Sequence, residues 1–455
     1  QEGERALVRL FEPSAGAGPV PEERLGQELL PCRPDDDTFE SRLKALLRRH
    51  VVERCIYGVD LDPLAVELCR LSLWIETMDR ELPFSFLDHK VKCGNALVGA
   101  WFDTFRHYPV MAFKNREGGD KGHGNGVHFT KDARGKTLKA FVKDVLTPDL
   151  RRYLGGRQLF DQQDPLEQAS AVHDLALGTL ARLHDLPVPD AAERARVYRE
   201  ELVGSPLYQH LKAAMDLWCA CWFWPADRLD EAPLPTTLAA PPEPTAALAA
   251  RIAAQKRFFH WELEFPDVFR TFGAGFDAVL GNPPWETLQP NSKEYFSNTD
   301  PLFRSYGKQE ALRYQTEYFS EEVIEQDWLD FNAGFANYSN WMKHAAGPFG
   351  DPSEADATGD RFAVARGNEN ATFHDRWRDA RARSYGYSDA KHPFRHRGEG
   401  KAYTYKLFLE QAHALLRLGG RLGFIVPSGI YSDHGTGGLR ELFLDHCRWE
   451  WLFGF

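Results

Sequence analysis

Apolar positions along the chain follow two rhythms. Short, nearly unbroken apolar runs bounded by Gly, Pro, Asn or Asp predict buried strands, and apolar residues three and four apart predict helices. Strand-like runs occur at residues 55–60, 91–97, 276–281, 421–427 and 449–455. Helical patterns occur at 42–52, 64–77, 169–182, 191–202, 207–224, 403–418 and 440–445. The helix at 64–77 carries its apolar face on Leu64, Leu68, Leu71, Trp74 and Ile75, with Asp62 as its cap and Pro63 at its start. The amphipathic pattern at 403–418 has Leu407, Phe408, Ala412, Leu415 and Leu416 on one side and stops at Gly419-Gly420, where an apolar strand takes over. Helix, glycine pair and buried strand make one step of a doubly wound α/β sheet.

Two long stretches break that rhythm and divide the chain. Residues 1–110 form a first α/β part, 111–260 a helical insertion, 261–291 a return to strand, 292–400 a second irregular insertion, and 401–455 the closing part. Inside the first insertion, residues 225–245 are rich in Pro and Ala without periodicity and read as a linker. The glycine-rich residues 117–126, which include His123, read as a mobile surface loop. His260, Glu262 and Glu264 alternate with apolar residues, which predicts an exposed strand face.

The candidate chemistry sits at strand ends. Phe276-Asp277-Ala278-Val279-Leu280-Gly281 runs into Asn282-Pro283-Pro284-Trp285. Neither proline can donate to a ladder, and Pro284 holds Pro283 extended, so the chain leaves the sheet as a stiff tongue. An exocyclic amino group on an aromatic base is a poor nucleophile, because its lone pair is delocalised into the ring. Two acceptors, the Asn282 side-chain oxygen and the Pro283 carbonyl, would draw that nitrogen toward tetrahedral geometry. The Trp285 indole gives a face for stacking, worth roughly 1–3 kcal/mol, to a base that is single-stranded or flipped out of a duplex. At the other strand end, Asp60 stands where open α/β sheets hold ribose hydroxyls, and Asp62 caps the next helix. Asn95, at the tip of the 91–97 strand, reads either as a contact to an adenine edge or as a turn asparagine. The stretch Phe11-Glu12-Pro13-Ser14-Ala15-Gly16-Ala17-Gly18 reads as a cofactor loop or a surface loop, but no apolar helix follows it.

Composition narrows the class. With 43% hydrophobic and 27% charged residues, the 455-residue chain is that of a soluble globular protein with room for two or three domains. No apolar run is long enough to span a membrane. Seven cysteines, an odd number in mostly apolar settings, fit a reduced, cytoplasmic protein. Cys219 and Cys221 are spaced for a buried helix rather than a zinc knuckle, and no metal site is expected. A net charge of −11 counts against a simple nucleic-acid binder. Residues 376–401 run the other way: eight Lys or Arg interleave with Trp377, Tyr385, Tyr387 and Phe394. That stretch reads either as a contact to a phosphate backbone or as a solvated helix face.

Three motifs in order carry a resemblance: Tyr57-Gly58-Val59-Asp60-Leu61-Asp62-Pro63, Gly281-Asn282-Pro283-Pro284-Trp285, and Gly419-Gly420-Arg421-Leu422-Gly423-Phe424-Ile425-Val426-Pro427-Ser428. Together they resemble the γ-order adenine-N6 DNA methyltransferases, in particular the large enzymes of type IIG restriction-modification and of BREX- or DISARM-like phage defence. The resemblance implies a Rossmann-like S-adenosylmethionine-dependent methyltransferase sheet with two large, mainly helical insertions. It implies cofactor contacts from Asp60, Leu61, Asn95 and Ala96, and a catalytic group of Asn282, Pro283, Pro284 and Trp285. The family usually has Asp where this chain has Asn95. Double-stranded DNA is the implied substrate, and other defence-system subunits are implied partners. The family's first, glycine-rich motif is expected upstream of Gln1, so the chain reads as a fragment. Two rival readings remain: an amino-group methyltransferase acting on protein glutamine or RNA, and a non-catalytic DNA-binding subunit.

Overall fold

The turn after Val59-Asp60 starts the first well-defined α/β step. Asp62 Oδ1 accepts from Leu64 N at 2.9 Å and Pro63 occupies the first turn of the helix that follows. The helix is α2, Pro63–Glu76, preceded by α1, Phe39–Cys55, and strand β1, Gly58–Asp60. The computed structural model describes residues 35–78, 87–102, 104–105, 108–113, 116–155, 165–186, 190–269, 275–348, 394–396 and 403–454. The glycine-rich 11–18 stretch, Cys32 and most of the basic 376–401 stretch fall outside them.

The fold is mixed α/β and mostly helical. The main elements are strand β2 (Val91–Cys93), helices α3 (Ala133–Phe141), α4 (Pro206–Phe223) and α5 (Glu243–Lys256), strand β3 (Phe276–Gly281), helices α6 (Glu322–His344) and α7 (Thr404–Leu415), strand β4 (Leu416–Phe424) and helix α8 (Gly437–His446). Among the described residues the strands form two parallel pairs, β1–β2 and β3–β4, rather than the one doubly wound sheet expected. The chain divides into two units. One contains Gln1–Val98, Glu167–Lys212 and Arg257–Asp267; the other contains Gly99–Leu166, Ala213–Lys256 and Val268–Phe455.

The first unit is sewn together by buried charge. Glu167–Lys212, read from sequence as part of one insertion, groups instead with the N-terminal part. Glu53 on α1 explains this: its carboxylate meets Arg49 Nε at 3.2 Å and Arg194 Nη1 at 2.7 Å, and all three side chains are buried. Lys90 and Lys92 share one side by the two-residue strand period. Lys90 Nζ donates to Asp267 Oδ2 at 2.7 Å and to Tyr57 Oη at 2.6 Å, and Lys92 Nζ donates to Glu264 Oε2 at 2.8 Å. Burial alone would raise both carboxyls, but the facing ammonium groups outweigh it, so Asp267 and Glu264 titrate below the usual carboxylate range. Residues 261–264, expected as an exposed strand face, form a short helix with His260 and Glu262 buried. The apolar face expected of α2 is exposed among the described residues at Leu64, Leu68, Leu71 and Ile75, while Val66 is buried.

The second unit packs around aromatics. Trp218, Trp222 and Trp341 meet edge to face or tilted, with Trp222 and Trp341 centroids 5.3 Å apart. Cys219 and Cys221 lie buried in α4, as their spacing suggested. A second cluster, Phe296, Phe303, Phe319 and Trp328, follows β3, and a third joins Tyr405, Leu409, Ile430, Leu439 and Phe443. Helix α7 is buried on nearly all sides, not on the single face its pattern suggested.

Four sequence expectations change here. The 117–126 loop is anchored, not mobile: buried His123 bonds Glu325 at 2.7 Å, and Glu325 also accepts from the backbone N–H groups of Val127, His128 and Phe129. Residues 225–245 are no free linker, because Tyr108 Oη donates to Pro233 O at 2.9 Å and Thr236 N donates to Asp149 at 3.0 Å. Gly419-Gly420 sits inside β4 rather than ending a helix. Phe276 pairs with Leu416 but Ala278 with Arg421, so three extra residues bulge from β4 there. Gly419 takes φ +76, a left-handed conformation that favours glycine. Residues 449–454, expected as a strand, carry no regular structure.

Candidate functional site

One candidate site is built within the first unit. Parallel pairing matches Asp60 with Cys93, so the carboxyl ends of β1 and β2 lie on one edge. Asp60 is exposed there; its Oδ1 accepts from Asp62 N at 2.8 Å, and its carbonyl accepts from Gly94 N at 2.8 Å. The bond to Asp62 N uses one carboxylate oxygen, and no hydrogen bond among the described residues engages the other. A carboxylate held this way fits a ribose hydroxyl, which donates to it. Gly94 leaves room for the Phe259 ring: a Cβ there would lie 2.4 Å from it.

Asn95 opens a turn in which Val98 N donates to its carbonyl at 3.1 Å. Its Oδ1 accepts from Leu97 N at 3.2 Å and its backbone N donates to Arg257 O at 2.7 Å. Ala96 O accepts from the Trp261 indole at 3.0 Å, and Leu61 is exposed. Arg257, Phe259 and Trp261 therefore line this edge, although sequence reasoning did not select them. They follow a helix with no local signal of their own, and only the tertiary path returns them to residues 60–96.

Another candidate site is built within the second unit. The β3–β4 ladder extends one bond past β4, with Ile425 N donating to Gly281 O at 3.1 Å. Asn282 is the first residue beyond it, and the prolines stop further pairing. The far leg of the tongue is pinned by the start of α7. Thr404 Oγ1 donates to Pro284 O at 2.6 Å, and Thr404 N donates to Glu286 O at 3.0 Å. Trp285 Nε1 reaches Ile425 O at 3.4 Å, and the indole stays half exposed. Thus the Pro284 carbonyl is occupied. The Asn282 side chain and the Pro283 carbonyl accept no hydrogen bond among the described residues. Asn282 is exposed and Pro283 buried, so a rigid base carries a free amide. Thr404 was not singled out from sequence. Its signal was a hydroxyl residue at a helix start, but its partner lies far away in the chain.

Residues 54–142 and 213–348 match the family model described as Eco57I restriction-modification methylase. The chain is similar to the Eco57I methylases. Asp60, Asn95 and the Asn282–Trp285 tongue fall inside the matched blocks, whereas Thr404 and Ile425 lie outside them. A type II restriction enzyme and methyltransferase from Methanocaldococcus jannaschii is 32% identical over 113 residues, covering 21% of this chain and 9% of that protein. The chain thus matches under a tenth of that relative's length. No solved structure matches. The Eco57I likeness supports a methyltransferase of the restriction-modification kind. No helix among the described residues is long and apolar enough to cross a membrane.

Proposed function

We propose that this chain is the core of a restriction-modification DNA methyltransferase that methylates adenine N6 using S-adenosylmethionine. The observation that carries this reading is the tongue at Asn282. Of its successive carbonyls, the one at Pro284 is consumed by Thr404, whereas the Asn282 amide oxygen and the Pro283 carbonyl remain available. Those two acceptors suit the two N–H bonds of one amino group.

S-adenosylmethionine supplies the electrophilic methyl group when bound. Asp60 would accept from its ribose, with Leu61, Asn95 and Ala96 alongside. Asn282 and Pro283 would accept from the amino nitrogen, moving its lone pair out of conjugation with the ring. Trp285 would stack on the flipped base. The nitrogen would take the methyl group directly as its bond to the sulfonium sulfur breaks and the cofactor leaves as the neutral thioether, with the nitrogen's proton passing to solvent and no covalent enzyme intermediate. The choice of adenine, of a Rossmann-like sheet and of phage defence as the setting rests on the motif set. Contacts to the phosphate backbone are assigned to residues 376–401.

The test is transfer of labelled methyl from S-adenosylmethionine to unmethylated genomic DNA, with the product base read by mass spectrometry. N6-methyladenine is expected, and Asn282→Ala should abolish it while leaving cofactor affinity within about twofold, since the amide contacts the target and not the cofactor. Label in cytosine would move the target base. Label only in RNA or in protein glutamine would replace the reading with the rival substrate.

A further inference from the structure

Arg257 stands at the end of α5 in a left-handed conformation, φ +53. Glycine is the ordinary residue at such a helix end, because a side chain there meets its own backbone. This chain instead places an exposed arginine. Its side chain spans to the turn after β1, where Nη1 donates to the Leu61 carbonyl. Its own carbonyl accepts from Asn95 N at 2.7 Å, and the next residue, Phe258, bridges Asn95 in parallel. One residue therefore holds both loops of the candidate site in the first unit, through its side chain on one and its backbone on the other. The Leu61 carbonyl also takes the Cys93 thiol at 3.6 Å. All these groups belong to the same unit.

We infer that Arg257 is a positioning residue for cofactor binding: its guanidinium fixes the Asp60-Leu61-Asp62 turn so that the Asp60 carboxylate is presented in one orientation. The inference rests on the cofactor role proposed for Asp60. Backbone strain is the expected sign of such a role, because an unfavourable conformation persists only where the surroundings over-determine it. The two contributions of Arg257 have opposite signs. Its backbone conformation disfavours the fold relative to glycine, and its side chain orders the turn.

Arg257→Gly separates them. It relieves the backbone and removes the guanidinium, so thermal stability should hold or rise while S-adenosylmethionine affinity falls about tenfold by calorimetry. Arg257→Lys keeps one donor without the planar fork and should bind with intermediate affinity. In the protein without cofactor, hydrogen exchange over residues 60–64 should quicken in Arg257→Gly while β2 stays protected. Native affinity in Arg257→Gly, or unchanged exchange over 60–64, overturns the inference. If the native protein binds cofactor and Asp60→Asn loses it, the cofactor reading survives that result and only the role of Arg257 is withdrawn. If the native protein gives no heat at millimolar cofactor, both fall.

Discussion

The two units bury their charges differently. In the first, cations meet carboxylates from distant segments: Glu53 with Arg194, Lys90 with Asp267, and Lys92 with Glu264. In the second, buried charges mostly face the backbone. Glu325 gathers three successive N–H groups, Asp120 accepts from Arg134 N at 2.5 Å, and Arg116 donates to the carbonyls of Cys221 and Trp224. A charge pair selects which segments meet, because each partner is costly to bury alone. A charge on backbone groups fixes the shape of a loop, because those groups need partners wherever they are buried. Both units are assembled from three pieces of chain, and in the first the pairs join those pieces: Glu53 to Arg194, and Lys90 and Lys92 to Asp267 and Glu264. The second must hold long irregular stretches, and backbone capping suits that.

Removing one member of a buried pair should have the largest effect. Glu53→Gln leaves two buried guanidinium groups without a counter-charge and should destabilise the first unit by about 3–5 kcal/mol. Denaturant unfolding followed by hydrogen exchange in α1 measures it, and a loss below about 1 kcal/mol would break the comparison. Glu325→Gln should cost less, about 1–3 kcal/mol, since one carbonyl oxygen still serves part of the loop. Exchange at Val127, His128 and Phe129 should quicken first.

Removing both partners sharpens the contrast. Lys92→Met with Glu264→Leu should be near neutral, because a buried pair is often replaceable by apolar residues of similar volume. Glu325→Leu with His123→Leu should not be, because the three backbone N–H groups remain. Similar losses in the two double variants would erase the distinction.

Acid tests the same carboxylates. Asp267 and Glu264 titrate below their unfolded values, so their contribution is complete above those values and is lost as pH falls through the folded ones. A thermal-melting series should therefore show the first unit weakening only below about pH 4. Weakening that begins near pH 6 would point to histidine instead. Among the single substitutions the smallest effect is expected at Thr404→Val, which removes the Oγ1 bond to Pro284 O: about 1 kcal/mol of local stability, with methyl transfer reduced and cofactor affinity unchanged.

Local signals made much of the candidate chemistry legible. The Asp62 cap, Pro63 in the first turn, and the strand broken by Pro283 and Pro284 are decided within a few residues by hydrogen-bond supply and proline geometry. The strand-tip position of Asp60 follows from them. The surroundings of Asn95 were not local: its backbone N donates to the Arg257 carbonyl, far along the chain. Likewise the loop around His123 looked free until Glu325 was placed beside it, and Gly419-Gly420 looked like a helix stop until its register against Phe276 was known. Short-range sterics and capping are written in adjacent residues. Which buried charge finds which partner is set by burial, and burial exists only once distant segments have packed.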